Sequence, residues 1–150
     1  MSRLEPPAVH LMASADDVEA QFYEALRDGD VDKLMSLWSD DDEVFVVHPG
    51  GPRVIGTRAI RATFEAMFAN GGRIAAVPER VRRLSTMDAA VHHLVERIAI
   101  VTPEGPRTGY VMVTNVYLKT AQGWRIAAHH ASPGSMDEVV EVSDVPSVLH

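Results

Sequence analysis

Polar side chains suited to moving protons lie within the apolar segments of the second half of the sequence. Glu96, Asn115 and His130 are the main examples. Burial in an apolar pocket shifts the pKa of a carboxyl or imidazole group and suits it to general acid–base catalysis. A neutral amide can hydrogen-bond a developing oxyanion. We therefore predict these three residues as catalytic, for proton removal next to a carbonyl, with His130 or Glu96 as the base.

A second set of residues is predicted to bind the substrate by orienting its polar groups or forming the apolar pocket wall. This set is His48, Tyr117, Trp38, His92, Phe64 and Met67. Purely structural interpretations stay open for all of these residues. His130 and Asn115 would also suit a hydrogen-bonded pair that lines the core, Glu96 an outward salt bridge, and the aromatic residues a packed core.

Several other kinds of site lack their signatures. The chain has no cysteine, which excludes disulfides and thiolate sites. It has no glycine-rich nucleotide motif and no Gly-x-Ser-x-Gly elbow. A metal would have His48, His92, His130 and Glu96 as ligands, but no tight ligand spacing such as two histidines on one helix turn is present. We predict no metal and no cofactor.

Length and charge limit the remaining classes. The chain has 150 residues, which fits one domain, and a net charge of −7. An acidic protein does not attract nucleic acid or an anionic membrane surface. No secretory signal and no membrane-length apolar segment is evident, so we expect a cytoplasmic protein. We predict tails at 1–13 and 134–150, the latter acidic, around a domain at 14–133.

Helical patterns fill the first half. Ser14 begins a helix whose apolar stripe contains Val18, Phe22, Tyr23 and Leu26, and Gly29 ends it. A short second helix follows, and Thr57 begins a third. Two short strands at 44–48 and 54–55 separate these helices. The second half has four strand candidates, at 73–84, 89–101, 108–119 and 123–132. This order predicts an α+β fold with three helices packed on one face of a curved, mainly antiparallel sheet.

Turn positions predict which residues face inward. A two-residue turn near Gln122 places odd positions before it on the same face as even positions after it. The more apolar face is assigned inward, which turns His129 outward. A loop at Glu104-Gly105 extends the inward face to the preceding strand and turns His93 outward; an odd-length loop or a bulge there would reverse this facing. The predicted inward residues are Val113, Asn115, Tyr117, Trp124, Ile126, Ala128, His130, Ser132, His92, Leu94, Glu96, Ile98 and Ile100.

Four phrases of the sequence, in this order and spacing, resemble one known family. They are Ala25-Leu26-Arg27-Asp28-Gly29-Asp30, His48-Pro49-Gly50-Gly51, Val54-Ile55-Gly56-Thr57-Arg58-Ala59-Ile60 and Gly123-Trp124-Arg125-Ile126-Ala127-Ala128-His129-His130-Ala131-Ser132. The chain resembles the SnoaL-like branch of the nuclear transport factor 2-like superfamily, which has the cystatin-like fold. The resemblance implies a cone with a central apolar pocket, and frequent homodimerisation through the outer sheet face. The superfamily contains isomerases, cyclases and dehydratases as well as assembly domains, so the fold alone does not give the function.

Two functions therefore remain open. One is an isomerase, cyclase or dehydratase acting on a small apolar carbonyl compound by acid–base chemistry. The other is a non-catalytic homodimer that binds a ligand or organises an assembly. Both interpretations predict a dimer, because an outward face with Val91, Val95 and Ala99 is too apolar to face solvent.

Overall fold

The fold is a layer of helices on one face of a single sheet. It is described by a computed structural model for residues 12–71, 74–134 and 142–144. Within these residues the helices are α1 (Ala15–Asp28), α2 (Val31–Ser36) and α3 (Thr57–Gly71). The strands are β1 (Phe45–Val47), β2 (Arg53–Ile55), β3 (Ala76–Ser85), β4 (Ala89–Thr102), β5 (Gly105–Thr120) and β6 (Gly123–Pro133). The predicted α+β class is confirmed. The tails predicted at 1–13 and 134–150 lie mostly outside the described residues.

The ends of α1 follow from local chemistry. The Ser14 hydroxyl accepts a hydrogen bond from the Asp17 backbone N–H at 3.1 Å and caps the first turn. Asp16 and Asp17 complement the positive end of the helix. Gly29 ends the helix with φ 66°, a conformation that glycine adopts without the steric cost of a side chain. These caps fix which face of α1 meets the sheet.

The sheet has six strands in the order β2-β1-β6-β5-β4-β3. All neighbouring strands are antiparallel except β1 and β6, which run parallel. The β4–β5 hairpin keeps one register along its whole length, with Glu96 opposite Val111 and His92 opposite Asn115. The predicted inward face of β4 is therefore correct for His92, Leu94 and Glu96, and His93 is exposed as expected.

The β5–β6 pairing contains a bulge that the sequence analysis did not predict. The turn lies at Ala121-Gln122, and Tyr117 pairs with Ile126. The next pair is Val116 with Ala128, so Ala127 is an extra residue in β6. The bulge reverses the facing of every later residue of that strand.

This bulge corrects the predicted orientation of the two adjacent histidines. His129 is opposite Asn115 and is buried, whereas His130 is exposed on the outer face. The inward assignments of His130, Ala128 and Ser132 were therefore wrong, as was the outward assignment of His129. Ala128 remains largely buried, but it lines grooves on the outer face.

The core lies between the helices and the inner sheet face. Val18 and Phe22 of α1 and Ile60 of α3 are fully buried there, and Phe64 is 1% exposed. Phe22 packs edge-on against Phe64, with ring centroids 6.3 Å apart. The contact joins α1 to α3 across the interior. In the part of the chain that the structure describes, no helix is both long and apolar enough to cross a membrane.

Candidate functional site

Four polar side chains form a continuous hydrogen-bonded row inside the cone, which we call the interior network. Its members are Tyr23 from α1, Glu96 from β4, Asn115 from β5 and His129 from β6. The Tyr23 hydroxyl donates to Glu96 Oε2 at 2.8 Å, and Asn115 Nδ2 donates to the Tyr23 oxygen at 3.4 Å. His129 Nδ1 lies 2.6 Å from Asn115 Oδ1. Adjacent strands bring the three sheet residues together, and α1 completes the row.

Glu96 is the carboxyl group of this network. Its carboxyl is buried, and burial raises its pKa to about 7, partly opposed by the hydrogen bond from Tyr23. The described residues place no cationic side chain within ion-pairing distance of Glu96. A carboxyl with this pKa is present in both protonation states near neutral pH, which suits it to accept or donate a proton.

Tyr23 and His129 stay neutral around Glu96. Burial, followed by the nearby Glu96, raises the pKa of the Tyr23 hydroxyl well above its usual value. Burial, followed by the nearby His48 and His130, lowers the pKa of the His129 imidazole to about 3. The hydroxyl therefore remains a donor to Glu96, and His129 remains an uncharged imidazole at neutral pH.

A second polar cluster lies beneath the network and is built around Glu19 of α1. His92 Nδ1 lies 3.0 Å from Glu19 Oε2, and the Tyr117 hydroxyl donates to the same oxygen at 3.2 Å. At the surface, Arg83 donates to Asp16 at 2.7 Å. Tyr117 and His92 are 0% and 1% exposed. They hold Glu19 and α1 against the sheet, and their role in substrate binding remains a prediction.

The Glu19 cluster also contains the group of possible metal ligands found among the described residues. The ligating atoms of Asp16, Glu19 and His92 lie within 4.8 Å of one another. Arg83 and Tyr117 already satisfy these two carboxylates, and an arginine next to a cation site would repel the ion. The set once considered from the sequence does not form, because His130 is on the opposite sheet face from His92 and Glu96.

His48 borders the interior network at the end of β1. Its Nε2 lies 3.2 Å from the Thr63 hydroxyl of α3, and its ring meets Phe64 edge-on with centroids 5.1 Å apart. The His48 and His129 ring centroids are 6.5 Å apart. Burial lowers the pKa of His48. The structure thus brings His48 and Phe64 together with His129. Met67 is partly buried and packs against the same hydrophobic core as Phe64.

Trp38 is 4% exposed, and its indole N–H has no hydrogen-bond partner among the residues that the structure describes. An unpaired buried donor costs about 1–3 kcal/mol, so it is unusual in a folded interior. The backbone bridge from Trp38 to Ile126 holds its side chain beside β6. Trp38 was predicted as a pocket residue, and that role remains a prediction.

Three interior residues were absent from the predicted site. Glu19 and Tyr23 lie within the apolar stripe of α1, one turn apart, and both face the sheet. A carboxylate inside a buried helical stripe was the available signal for Glu19. The position of His129 depends on the β6 bulge, which leaves no clear mark in the sequence.

The outer face of the sheet carries shallow grooves. One has a volume of about 770 Å³ and is lined by Glu43, Phe45, Val47, Arg53, Ile55 and His130. A neighbouring groove of about 440 Å³ is bordered by Val116, Leu118 and Ala128, among others. Ile55 and Leu118 are 46% and 38% exposed. The sequence analysis expected the apolar outer surface at Val91, Val95 and Ala99 of β4, but Val95 is 1% exposed and these grooves lie on β1, β2, β5 and β6 instead.

The chain is similar to known proteins both in sequence and in structure. A family model described as a SnoaL-like domain matches residues 16–136. No curated protein matches the sequence at a significant level.

Two solved structures share the fold at substantial identity. A candidate calcium/calmodulin-dependent protein kinase type II association domain from Thiobacillus denitrificans is 30% identical, with TM-score 0.76, and the match covers 87% of this chain and 100% of that one. A candidate dehydratase of the nuclear transport factor 2-like family from Streptomyces avermitilis is 28% identical, with TM-score 0.72, covering 86% and 98%. A calcium/calmodulin-dependent protein kinase II hub from S. rosetta, at 19% identity and TM-score 0.64 over 89% and 100%, shares the fold alone.

Proposed function

This chain belongs to the SnoaL-like domain family, and we propose that it is an enzyme that binds a small apolar carbonyl compound in its interior and moves a proton with Glu96. The reaction class is isomerisation, cyclisation or dehydration. The observation that carries the proposal is the buried Glu96 carboxyl, with a pKa of about 7 and a hydrogen bond from Tyr23. The similarity to a candidate dehydratase is consistent with this class.

The roles within the interior follow from its hydrogen bonds. Tyr23 occupies Glu96 Oε2, so Oε1 is the atom that takes the proton from the substrate and returns it. Asn115 holds the Tyr23 hydroxyl and His129 holds Asn115, which makes these three positioning residues around one catalytic carboxyl. Phe22 and Phe64 supply apolar walls near His129 and His48. His48 and Met67 are proposed to contact the bound molecule.

A proton-exchange assay tests the proposal. The probe is 2-hydroxy-1-phenylethanone, which combines an apolar ring with a carbonyl and acidic α-protons. In D₂O the protein should accelerate exchange of those protons, and Glu96→Gln should slow the catalysed exchange by about 10²–10⁴-fold. Glu104→Gln, at an exposed turn, is the control and should leave the rate unchanged. Equal rates in the wild type and Glu96→Gln would reject Glu96 as the base.

A second candidate function is assembly. The apolar grooves of the outer sheet face favour it, since an apolar surface exposed to water on a monomer is costly. We propose that this face pairs with a second copy of the chain, with or without catalysis in the interior. The similarity to a candidate association domain is consistent with oligomerisation. The expected cytoplasmic location and the absence of nucleic-acid, membrane and cofactor binding remain predictions.

A further inference from the structure

The hydrogen-bond donors of the interior network bind acceptors within the network itself. With Glu96 ionised, its carboxylate only accepts, so Tyr23 must donate to it at 2.8 Å. The Tyr23 oxygen then accepts from Asn115 Nδ2, which leaves Asn115 Oδ1 as an acceptor facing His129. His129 Nδ1 must therefore carry the ring proton and donate over 2.6 Å. All three hydrogen bonds point toward Glu96.

This direction fixes the tautomer of His129. A neutral imidazole has one N–H and one lone pair, and the N–H is used at Nδ1. Nε2 of His129 is therefore an unprotonated acceptor. Because burial keeps the pKa of this imidazole low, it does not convert Nε2 into a donor at neutral pH.

His48 is fixed in the opposite tautomer by the same reasoning. The Thr63 hydroxyl donates its single proton to the Ile60 carbonyl oxygen at 2.8 Å. Its oxygen can then only accept from His48, so His48 Nε2 carries the proton. The lone pair of His48 lies on Nδ1.

Three acceptor atoms are thus left open: Glu96 Oε1, His129 Nε2 and His48 Nδ1. The hydrogen bonds described for these three side chains use their other polar atoms. Glu96 and His129 are 6% and 5% exposed, and His48 is half-buried. Because buried acceptors need a donor, these atoms are available to a ligand or a bound water next to the rings of Phe22 and Phe64.

We infer that the interior selects molecules whose polar groups donate hydrogen bonds, either hydroxyls or a protonated amine, on an apolar frame. This inference rests on the proposed function, since it names the ligand chemistry of the same interior site. A ligand that brings donors satisfies the open lone pairs. An ether has no hydrogen-bond donor for these lone pairs, and a carboxylate adds a second negative charge beside Glu96.

Binding of four matched probes tests the inference. They are benzyl alcohol, benzyl methyl ether, benzylamine and benzoate, which share the ring and differ in the polar group. Affinity is read from the NMR shifts of the His129 and His48 ring nitrogens and the Glu96 carboxyl carbon at pH 8. We expect benzyl alcohol, benzylamine or both to bind at least about 10-fold tighter than the ether and benzoate, which corresponds to about 1.4 kcal/mol.

The comparison also separates the two sources of donors. If the occupant is an amine, Glu96→Gln weakens benzylamine binding at least about 10-fold, because the ion pair is lost. If it is a hydroxyl, the alcohol binds best and the substitution changes its affinity little. His130→Gln, on the adjacent outward-facing position, should alter neither.

The outcomes distinguish failure of the inference from failure of the proposed function. Interior binding of the ether or benzoate as tight as that of the donors overturns the inference but leaves a ligand site in place. Absence of any interior shift with all four probes also overturns it, while α-proton exchange decides the proposed function separately. In the unliganded protein, long-range ¹H–¹⁵N spectra must show protonated His129 Nδ1 and His48 Nε2. The reverse tautomers would contradict the argument.

Discussion

His129 and Asn115 face each other across β5 and β6, with 2.6 Å between Nδ1 and Oδ1, while the adjacent His130 is exposed on the other side of the sheet. One extra residue, Ala127, decides which of the two histidines enters the interior. The contact closes a row of hydrogen bonds that ends at Glu96. Two neighbouring positions of one strand therefore provide a matched pair of experiments.

Replacing the inner histidine should cost far more stability than replacing the outer one. His129→Ala leaves a cavity beside Phe22 and an unpaired Asn115 oxygen, for an expected loss of about 2–4 kcal/mol in the free energy of unfolding. His130→Ala should change it by no more than about 0.5 kcal/mol. Urea denaturation of both variants measures the difference. Equal losses would show that the β6 bulge is misplaced.

The hydrogen bond from Tyr23 should set the pKa of Glu96. Because this bond stabilises the carboxylate, Tyr23→Phe should raise the Glu96 pKa above its value of about 7. The expected loss of stability is about 1 kcal/mol, typical of one buried hydrogen bond. NMR titration of the Glu96 carboxyl carbon measures the pKa. Tyr110→Phe is a suitable control, since Tyr110 is outside the interior network; a lowered Glu96 pKa in Tyr23→Phe would refute the assignment.

Glu96 and His129 should make opposite contributions to the pH dependence of stability. The Glu96 pKa rises on folding from 4.5 to about 7, so its contribution to stability is lost as pH rises through that range. The His129 pKa falls from 6.5 to about 3, so its contribution is lost as pH falls through that range. Each slope is at most about 1.4 kcal/mol per pH unit.

Variants separate these two contributions. The stability of the wild type relative to Glu96→Gln should fall between pH 4.5 and 7, and its stability relative to His129→Gln should rise between pH 3 and 6.5. Denaturation at fixed protein concentration across this range measures both differences. A pH-independent difference for either variant would mean that its side chain is not buried in the way described.

The outer sheet face should mediate dimerisation. Val116→Glu places a charge among the apolar groove residues, and we expect it to convert the dimer to a monomer near 16 kDa. Met87→Glu, at a turn where Met87 is 92% exposed, is the matched control and should remain dimeric. Sedimentation velocity distinguishes the two states. A wild-type protein that is monomeric at working concentration would refute the interface.

Much of the fold could be predicted because its signals are local. The Ser14 cap, the Gly29 end of α1 and the alternation of β4 each depend on a few neighbouring residues. Glu96 was placed correctly because the β4–β5 hairpin runs without a register shift. His130 was placed incorrectly because a bulge depends on how whole strands pack, and a single inserted residue exchanges the two faces.

The interior network was harder to foresee for a different reason. Tyr23 and Glu19 belong to an apolar helical stripe, where tyrosine is expected to pack and a single carboxylate gives a weak signal. Their partners are 73 or more positions away along the chain. These hydrogen-bonded pairs form only when α1 packs across the strands, so local sequence patterns do not predict them.

The most direct test of the account is the ionisation of Glu96 in the folded wild type. We would follow its carboxyl carbon by NMR from pH 4 to 9 and use Glu96→Gln to assign the signal. The account predicts a midpoint near 7, so that the group can both accept and release a proton at neutral pH. A midpoint near 4.5 would mean a solvated carboxylate and would contradict the proposed acid–base role.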